Sequence, residues 1–292
     1  MRDSAAAEIT EETARRRLHM RLTFIPPRPE LSPLIESLWV FESDIGFPPE
    51  HPSLAAPNGC PKLIFLYGNS LTSIVNGRVQ RSREGLYFVG NRDSGTRLQS
   101  STGRIGFIGI EFYPQGAYPC FGIPMSKTAN RLFDADTLFD RWGRQTEEEL
   151  LNLETAKQKV ARLQDALLDL LHIRQDNNTL VDFCVKALKS ADGRLSMEQL
   201  QRKTGYSRRY LELLFQRYVG FPPKLLASIF RFQKFYRKWA QGQPYDVIIG
   251  EIYDDYYDEA HFCNEFKRMT GYSPRRYTLE VPNDLGRRLT LK

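Results

Sequence analysis

From Leu22 onward, apolar positions come in short runs separated by turn residues. Pro26, Pro27, Pro29 and Pro33 exclude a helix at the start, because proline lacks a backbone donor and clashes with the preceding turn. LIESLWVFE (34–42) and KLIFLYG (62–68) read as strands, the second set off by Pro57-Asn58-Gly59. Ser73-Ile74-Val75 and Arg78-Val79 flank Asn76-Gly77, a pair that accepts positive φ and favours a two-residue hairpin. LYFVG (86–90), TRLQS (96–100) and RIGFIGIEFYP (104–114) continue the series. The spacing predicts a β-barrel or sandwich over about residues 22–115.

The period then changes. Leu153, Ala156, Val160, Leu163, Leu167 and Leu170 alternate spacings of three and four, which predicts a helix over 145–174. That stripe suits a helix laid on its own β domain, or the seam of a homodimer. Gln175-Asp176-Asn177-Asn178 is polar and suits a hinge.

The remainder contains an internal repeat. YLELLFQRYVGFPPKLL (210–226) aligns with HFCNEFKRMTGYSPRRY (261–277) at an offset of 51. Phe215 matches Phe266, Arg217 matches Arg268, Gly220 matches Gly271 and Pro223 matches Pro274. Each copy reads as an amphipathic helix, a glycine stop and a proline opening the next helix. Upstream of the first copy, Ser196 caps MEQLQRK, Thr204-Gly205-Tyr206 turns the chain, and Ser207 caps RRYLELLFQRY. Leu200, Leu211 and Leu214 take the inward positions of a helix-turn-helix.

Arg208, Arg209, Glu212, Leu213 and Gln216 then form the outer face of the second helix. Such a face presents its N-terminal residues to base edges in a major groove. Arginine forks match guanine, Glu accepts from cytosine and Leu meets a thymine methyl. In the second copy, Asp258 caps the helix, Phe262, Phe266 and Met269 face inward, and Ala260, Asn264 and Lys267 face outward. Between the copies, Pro223 to Ala240 reads as one helix about 27 Å long, with Leu226, Ile229, Phe232 or Phe235, Tyr236 and Trp239 inward. Successive major-groove faces lie about 34 Å apart, so a rigid helix of this length suits two adjacent groove segments.

Charge sharpens this division. The chain has 292 residues and a net charge of +6. Residues 1–178 hold 21 basic and 22 acidic side chains, while 179–292 hold 20 and 13. Within the latter, 179–250 carries +8 and 251–279 carries −2. An anionic partner, nucleic acid first, is therefore expected for the C-terminal part, with the first unit gripping harder than the second. No apolar run approaches a membrane span, and residues 1–20 lack the apolar core of a secretory signal. Those residues read as a solvated extension, with Met20 an alternative start. Cys60, Cys120, Cys184 and Cys263 are scattered, which suits a reducing cytoplasm better than a disulfide framework or a zinc site. No nucleophile-base-acid set, phosphate loop or paired-His motif occurs in 1–178, which argues against an enzyme and against a cofactor. Trp39, Tyr67, Tyr87, Tyr113 and Tyr118 are candidates either for lining a ligand cavity or for plain core.

GYSRRYLELLFQRYVGFPPKLLASIFRFQK with YYDEAHFCNEFKRMTGYSPRRY resembles the AraC/XylS-type DNA-binding domain over about residues 180–278. PNGCPKLIFLYG, FVGNRDSG and GIEFYPQGAYPCFGIP are similar to a β-rich N-terminal domain of some AraC-type bacterial regulators. The resemblance implies a transcription regulator whose partners are double-stranded DNA, RNA polymerase and a small-molecule effector that it does not name. Two departures stand out. Gly250-Glu251 sits where the family carries Ile-Ala, and Asp255 sits where a turn glycine is expected. Ile248, Ile249 and Ile252 offer packing in a shifted register.

The expected fold is α+β. A β-barrel or sandwich-like (cupin-like) N-terminal domain with helices precedes an all-α domain of two helix-turn-helix units joined by a long helix. The expected segments are an extension (1–20), a β-rich sensory or dimerising domain (21–175), a DNA-binding domain (180–279) and a C-terminal tail (280–292). A DNA-binding chain whose N-terminal domain is an enzyme or a pure protein-interaction module is the competing reading.

Overall fold

The computed structural model describes residues 20–47, 53–101, 103–173, 177–252, 256, 258–280 and 284–290. The 1–19 part of the extension, Gln175-Asp176 of the hinge, and Asp255 lie outside them.

The β-rich part forms two antiparallel sheets. The larger runs β1 (Met20–Ile25), β2 (Ile35–Ser43), β9 (Ile105–Phe112), β4 (Lys62–Gly68), β7 (Gly85–Val89), β10 (Leu132–Asp134). The smaller runs β3 (Ser53–Ala55), β8 (Thr96–Ser100), β5 (Leu71–Val75), β6 (Arg78–Ser82). Asn76 and Gly77 take φ of 49° and 77°, the double left-handed turn expected between β5 and β6. The two sheets face each other as a barrel. Trp39, Phe41, Leu66, Tyr87, Ile105 and Phe107 of the larger sheet point inward and form one cluster. Alternate positions Leu38, Val40, Leu63, Phe65, Phe88, Ile108 and Ile110 point to the other face, which is covered by helices. Gly109 pairs with Trp39 across β2 and β9, and a Cβ there would come within 2.2 Å of the indole, so the ring lies flat over a bare backbone.

After the short α1 (Tyr118–Phe121), the predicted single helix over 145–174 is two: α2 (Ala135–Leu151) and α3 (Ala156–Ile173). Thr155 and Gln158 form a reciprocal cap that restarts the chain as α3. Val160, Leu163 and Leu167 are at most 4% exposed and belong to the chain's own core, so this part of the stripe serves internal packing.

The helical part comprises α4 (Thr179–Ser190), α5 (Met197–Thr204), α6 (Arg208–Tyr218), α7 (Pro223–Ala240), α8 (Tyr245–Ile252), α9 (Glu259–Thr270), α10 (Pro274–Glu280) and α11 (Asp284–Thr290). Punctuation follows the residues expected. Ser196 makes a full capping box with Gln199, Gly205 turns at φ 74°, and Ser207 accepts from Tyr210 N. Asp258 accepts from His261 N, at the same offset of 51 from Ser207. Gly220 and Gly271 stop the paired helices at φ 85° and 82°. Asn178, expected in a hinge, instead caps α4 by accepting from Val181 N.

One expectation is met and one needs correction. In α8 the position aligned with Leu200 is Gly250, and it is exposed, with nothing within 4 Å of a built Cβ. Ile248, fully buried, supplies the inward contact instead. In α7 the bounds are as expected but the burial is not one-sided. Leu226, Ile229, Phe232, Phe235 and Tyr236 are buried, and so are Ala227, Phe230 and Gln233 on other faces. The reason is tertiary: the β domain covers α7. Gln233 donates to the Pro57 carbonyl at 2.6 Å, and Gly59 lies against Leu226 and Phe230. One continuous core therefore runs from the outer face of the larger sheet through α3 into α7.

Candidate nucleic-acid interface

The first unit is α5, its glycine turn and α6. Leu200, Leu211 and Phe215 are fully buried, while Leu214 is partly buried against the same core. That packing leaves Arg208, Arg209 and Gln216 exposed, Leu213 62% exposed and Glu212 half-buried. Arg208 Nε donates to Glu212 Oε1 at 2.8 Å, one helical turn along. Among the described residues no ion pair is recorded for Arg209. The stacked rings of Tyr206 and Tyr210, 5.0 Å apart, flank this face and remain over 40% exposed. They add aromatic surface next to the expected residues, and nothing in the helical spacing alone marks them.

The second unit brings Ala260, Asn264 and Lys267 together on the exposed face of α9. Phe262, Phe266 and Met269 are buried, as the spacing predicts. Its acids are placed differently from expectation. Glu265 turns inward and pairs with Arg231 of α7 at 3.4 Å, with both side chains about 15% exposed. His261 lies 3.8 Å from the same carboxylate. Glu251 pairs with Lys238. These contacts consume cations of the connecting helix, as does Arg237 with Asp192 at 3.0 Å. The +8 of residues 179–250 is thus partly offset by Glu251 and Glu265 of the acidic segment that follows.

The repeated arginine also bonds within the chain. Arg217 donates to the Tyr118 hydroxyl at 2.6 Å, and its counterpart Arg268 donates to Ser228 Oγ of α7. The glycine after α6 fits against the β domain: a Cβ on Gly220 would meet the Met125 carbonyl at 2.6 Å. Asn91 donates to the Val219 carbonyl at 2.7 Å. Arg97 donates to Tyr272, just beyond α9. The C-terminal ends of α6 and α9 therefore both touch the β domain, and their N-terminal faces stay open.

Inside the barrel lies a cavity of about 910 Å³ including its open mouth. Ile64, Leu66, Tyr87, Val89, Leu98 and Phe107 are among its walls, drawn from both sheets. Trp39 and Arg92 are among the lining residues, and their buried Trp39 Nε1 and Arg92 Nε have no hydrogen-bond partner. Burial pushes Arg92 below the usual guanidinium range, against a smaller opposing pull from Asp93. Of the five aromatic candidates, Trp39 and Tyr87 line the cavity. Tyr67 donates to Glu42 and its hydroxyl is pushed up, first by burial and then by that carboxylate. Tyr113 lies under Lys189, and Tyr118 stacks at 4.4 Å on Tyr218 of α6. Those last two serve the contact between domains. Arg92 was not legible as a cavity-lining residue, since only sheet closure brings it to the wall.

Among the described residues no group of three or more His, Cys, Asp or Glu side chains is placed to hold a metal. No described helix is long and apolar enough to cross a membrane.

Residues 23–134 match a family described as a domain of unknown function, DUF6597. The F1 operon positive regulatory protein of Yersinia pestis is 31% identical over 104 residues, 35% of this chain and 33% of that protein. The chain thus spans about a third of the length of the curated relative it matches. In this chain two capped helices, α6 and α9, flank α7 in sequence and follow a β-rich domain. That arrangement is similar to the one the sequence resemblance implies. Among solved structures, ToxT of Vibrio cholerae aligns over 91% of this chain and 100% of its own, at 11% identity and a TM-score of 0.45. The EutQ protein of Clostridium difficile aligns over 32% of this chain and 67% of its own, at 18% identity and a TM-score of 0.24.

Proposed function

We propose that this protein is a transcription regulator that binds double-stranded DNA through two adjacent major-groove segments and answers to a molecule held in its β-barrel. One observation carries the reading: α6 and α9, with matching caps and glycine stops 51 residues apart, stand on either side of α7 in the chain, and each keeps an open, polar N-terminal face. Arg208, Arg209, Glu212, Leu213 and Gln216 read bases from the first unit. Ala260, Asn264 and Lys267 do so from the second. The relative from Yersinia pestis, named as a positive regulator of an operon, supports the same class of function.

The barrel favours a largely apolar occupant with an acceptor group, since its walls are apolar and two buried donors lack partners. A pure protein-interaction role for the β domain is the second reading, and binding of a small apolar probe separates the two.

The first unit holds the tighter grip, because Arg209 and Arg208 lie on its exposed face. In vitro site selection followed by fluorescence anisotropy on the selected duplex tests this. Arg209→Ala is expected to cost about 1–3 kcal/mol and to relax one base position. Asn264→Ala is expected to cost less. No enriched sequence motif would overturn the DNA reading, and a larger loss from Asn264→Ala would reverse the ranking.

A further inference from the structure

We infer that α11, the C-terminal helix, is a plug for the barrel that also latches it to the far end of α7, and that an apolar molecule entering the barrel displaces it. The inference rests on the barrel being a binding cavity.

Leu285 is 3% exposed and belongs to the inward-facing aromatic cluster with Trp39, Phe41 and Phe107. It forms part of the cavity wall. Leu289 packs on the same cluster and borders the cleft between barrel and α7. Arg288 Nη1 donates to the Met20 carbonyl of β1 at 2.9 Å. Arg287 reaches the other way. Its Nε donates to the Ala240 carbonyl at 2.7 Å, and its guanidinium sits 5.8 Å from the Trp239 ring centre. A cation on the last carbonyls of a helix is favourable, because those groups lack donor partners and carry the negative end of the helix dipole. One face of α11 therefore closes the barrel while its arginine ties down the end of the connecting helix.

The helix has seven residues. A helix so short does not persist alone in water, so α11 exists through its docking. An occupant that fills the space of the Leu285 side chain removes the apolar contact that holds it. The Arg287 bond is then lost as well, and the end of α7 that leads into α8 and the second unit is freed from the barrel. Barrel occupancy and placement of the second unit are thereby coupled through this segment.

The test uses the full chain with 1-anilinonaphthalene-8-sulfonate, whose apolar rings and single sulfonate suit the walls and the two donors. Leu285→Ser should bind the dye about ten-fold or more tightly than the parent, since the competing plug is weakened. Leu285→Met should behave as the parent, which guards against a loss of folding in the serine variant. Saturating the parent with dye should raise hydrogen exchange over 284–290. Arg287→Ala should keep dye affinity within about two-fold while abolishing any effect of dye on affinity for the selected duplex. Equal dye binding by parent and Leu285→Ser, with unchanged exchange over 284–290, overturns the plug and leaves the cavity standing. No dye binding by either chain overturns both. Failure to bind any duplex defeats the DNA reading alone, because the dye and exchange measurements do not depend on it.

Discussion

Cys120 and Cys184 sit in the core, and burial alone pushes their thiols up to about 12 and about 11. Burial also raises Cys263, followed by the nearby Glu259. A raised value means the protonated thiol is the form the fold favours. The resulting stability is fully present below the ordinary thiol value of 9.0 and is lost as pH climbs toward about 12. Two outcomes are expected. At pH 8 a thiol reagent followed by mass spectrometry should leave Cys120 and Cys184 unmodified in the native chain and label them after denaturation. The denaturant midpoint should fall between pH 8 and pH 10.5, and Cys120→Ala should remove part of that fall. Glycines differ at the same scale. Gly205 at φ 74° has open space around it, so Gly205→Ala should cost about 1–2 kcal/mol of backbone strain only. Gly220 faces the Met125 carbonyl, so Gly220→Ala should cost more and loosen α6 from the β domain. Thermal unfolding of the two variants checks the order. The need for a left-handed residue was legible at both positions from Gly-containing stops. The backbone across from Gly220 was not, because Met125 lies 95 residues away.

At the scale of elements, the helix ends of the C-terminal part were legible because caps are local. A serine or aspartate three residues ahead of the amide it accepts from needs no tertiary context. Ser207→Ala should therefore destabilise by about 1 kcal/mol, read by denaturant melts. The break at 152–155 was missed, since the apolar stripe runs across it in register while Thr155 and Gln158 restart the helix beneath it. The face of α6 carries its own check. Arg208 is held by Glu212, so Glu212→Gln should release a cation and remove an anion. Affinity should then rise for unrelated duplexes and the preference for the selected one should narrow, with a steeper salt dependence, measured by anisotropy across salt concentrations. Equal affinity in both chains would mean that this face does not meet phosphates.

Across the whole molecule, the β and helical parts share contacts at both units, at α7 and at α11. Asn91 is a compact case. Its amide is buried and its donor satisfies the Val219 carbonyl at the end of α6. Asn91→Ala should cost about 1–3 kcal/mol by leaving that carbonyl without its donor. With a continuous core, the two parts should unfold in one transition by near- and far-ultraviolet circular dichroism, and Asn91→Ala should shift that transition as a whole. Two separated transitions in the parent would contradict a shared core.

Alternation, periodicity and caps set out the strands, the repeated helical unit and α7 with its bounds, because each depends on neighbours within a few residues. They also placed the eight outward residues of the two units on exposed or half-exposed positions. What only the tertiary structure decided lies between segments distant in sequence. It turned Glu265 and Glu251 toward the cations of α7, buried that helix on several faces, and placed Arg92 in the wall of the barrel cavity. It also carried Leu285 back to the barrel interior. Charge and hydropathy along a chain are properties of residues, whereas neutralisation and burial are properties of pairs, and the pairs form only when the sheets close and the helices dock.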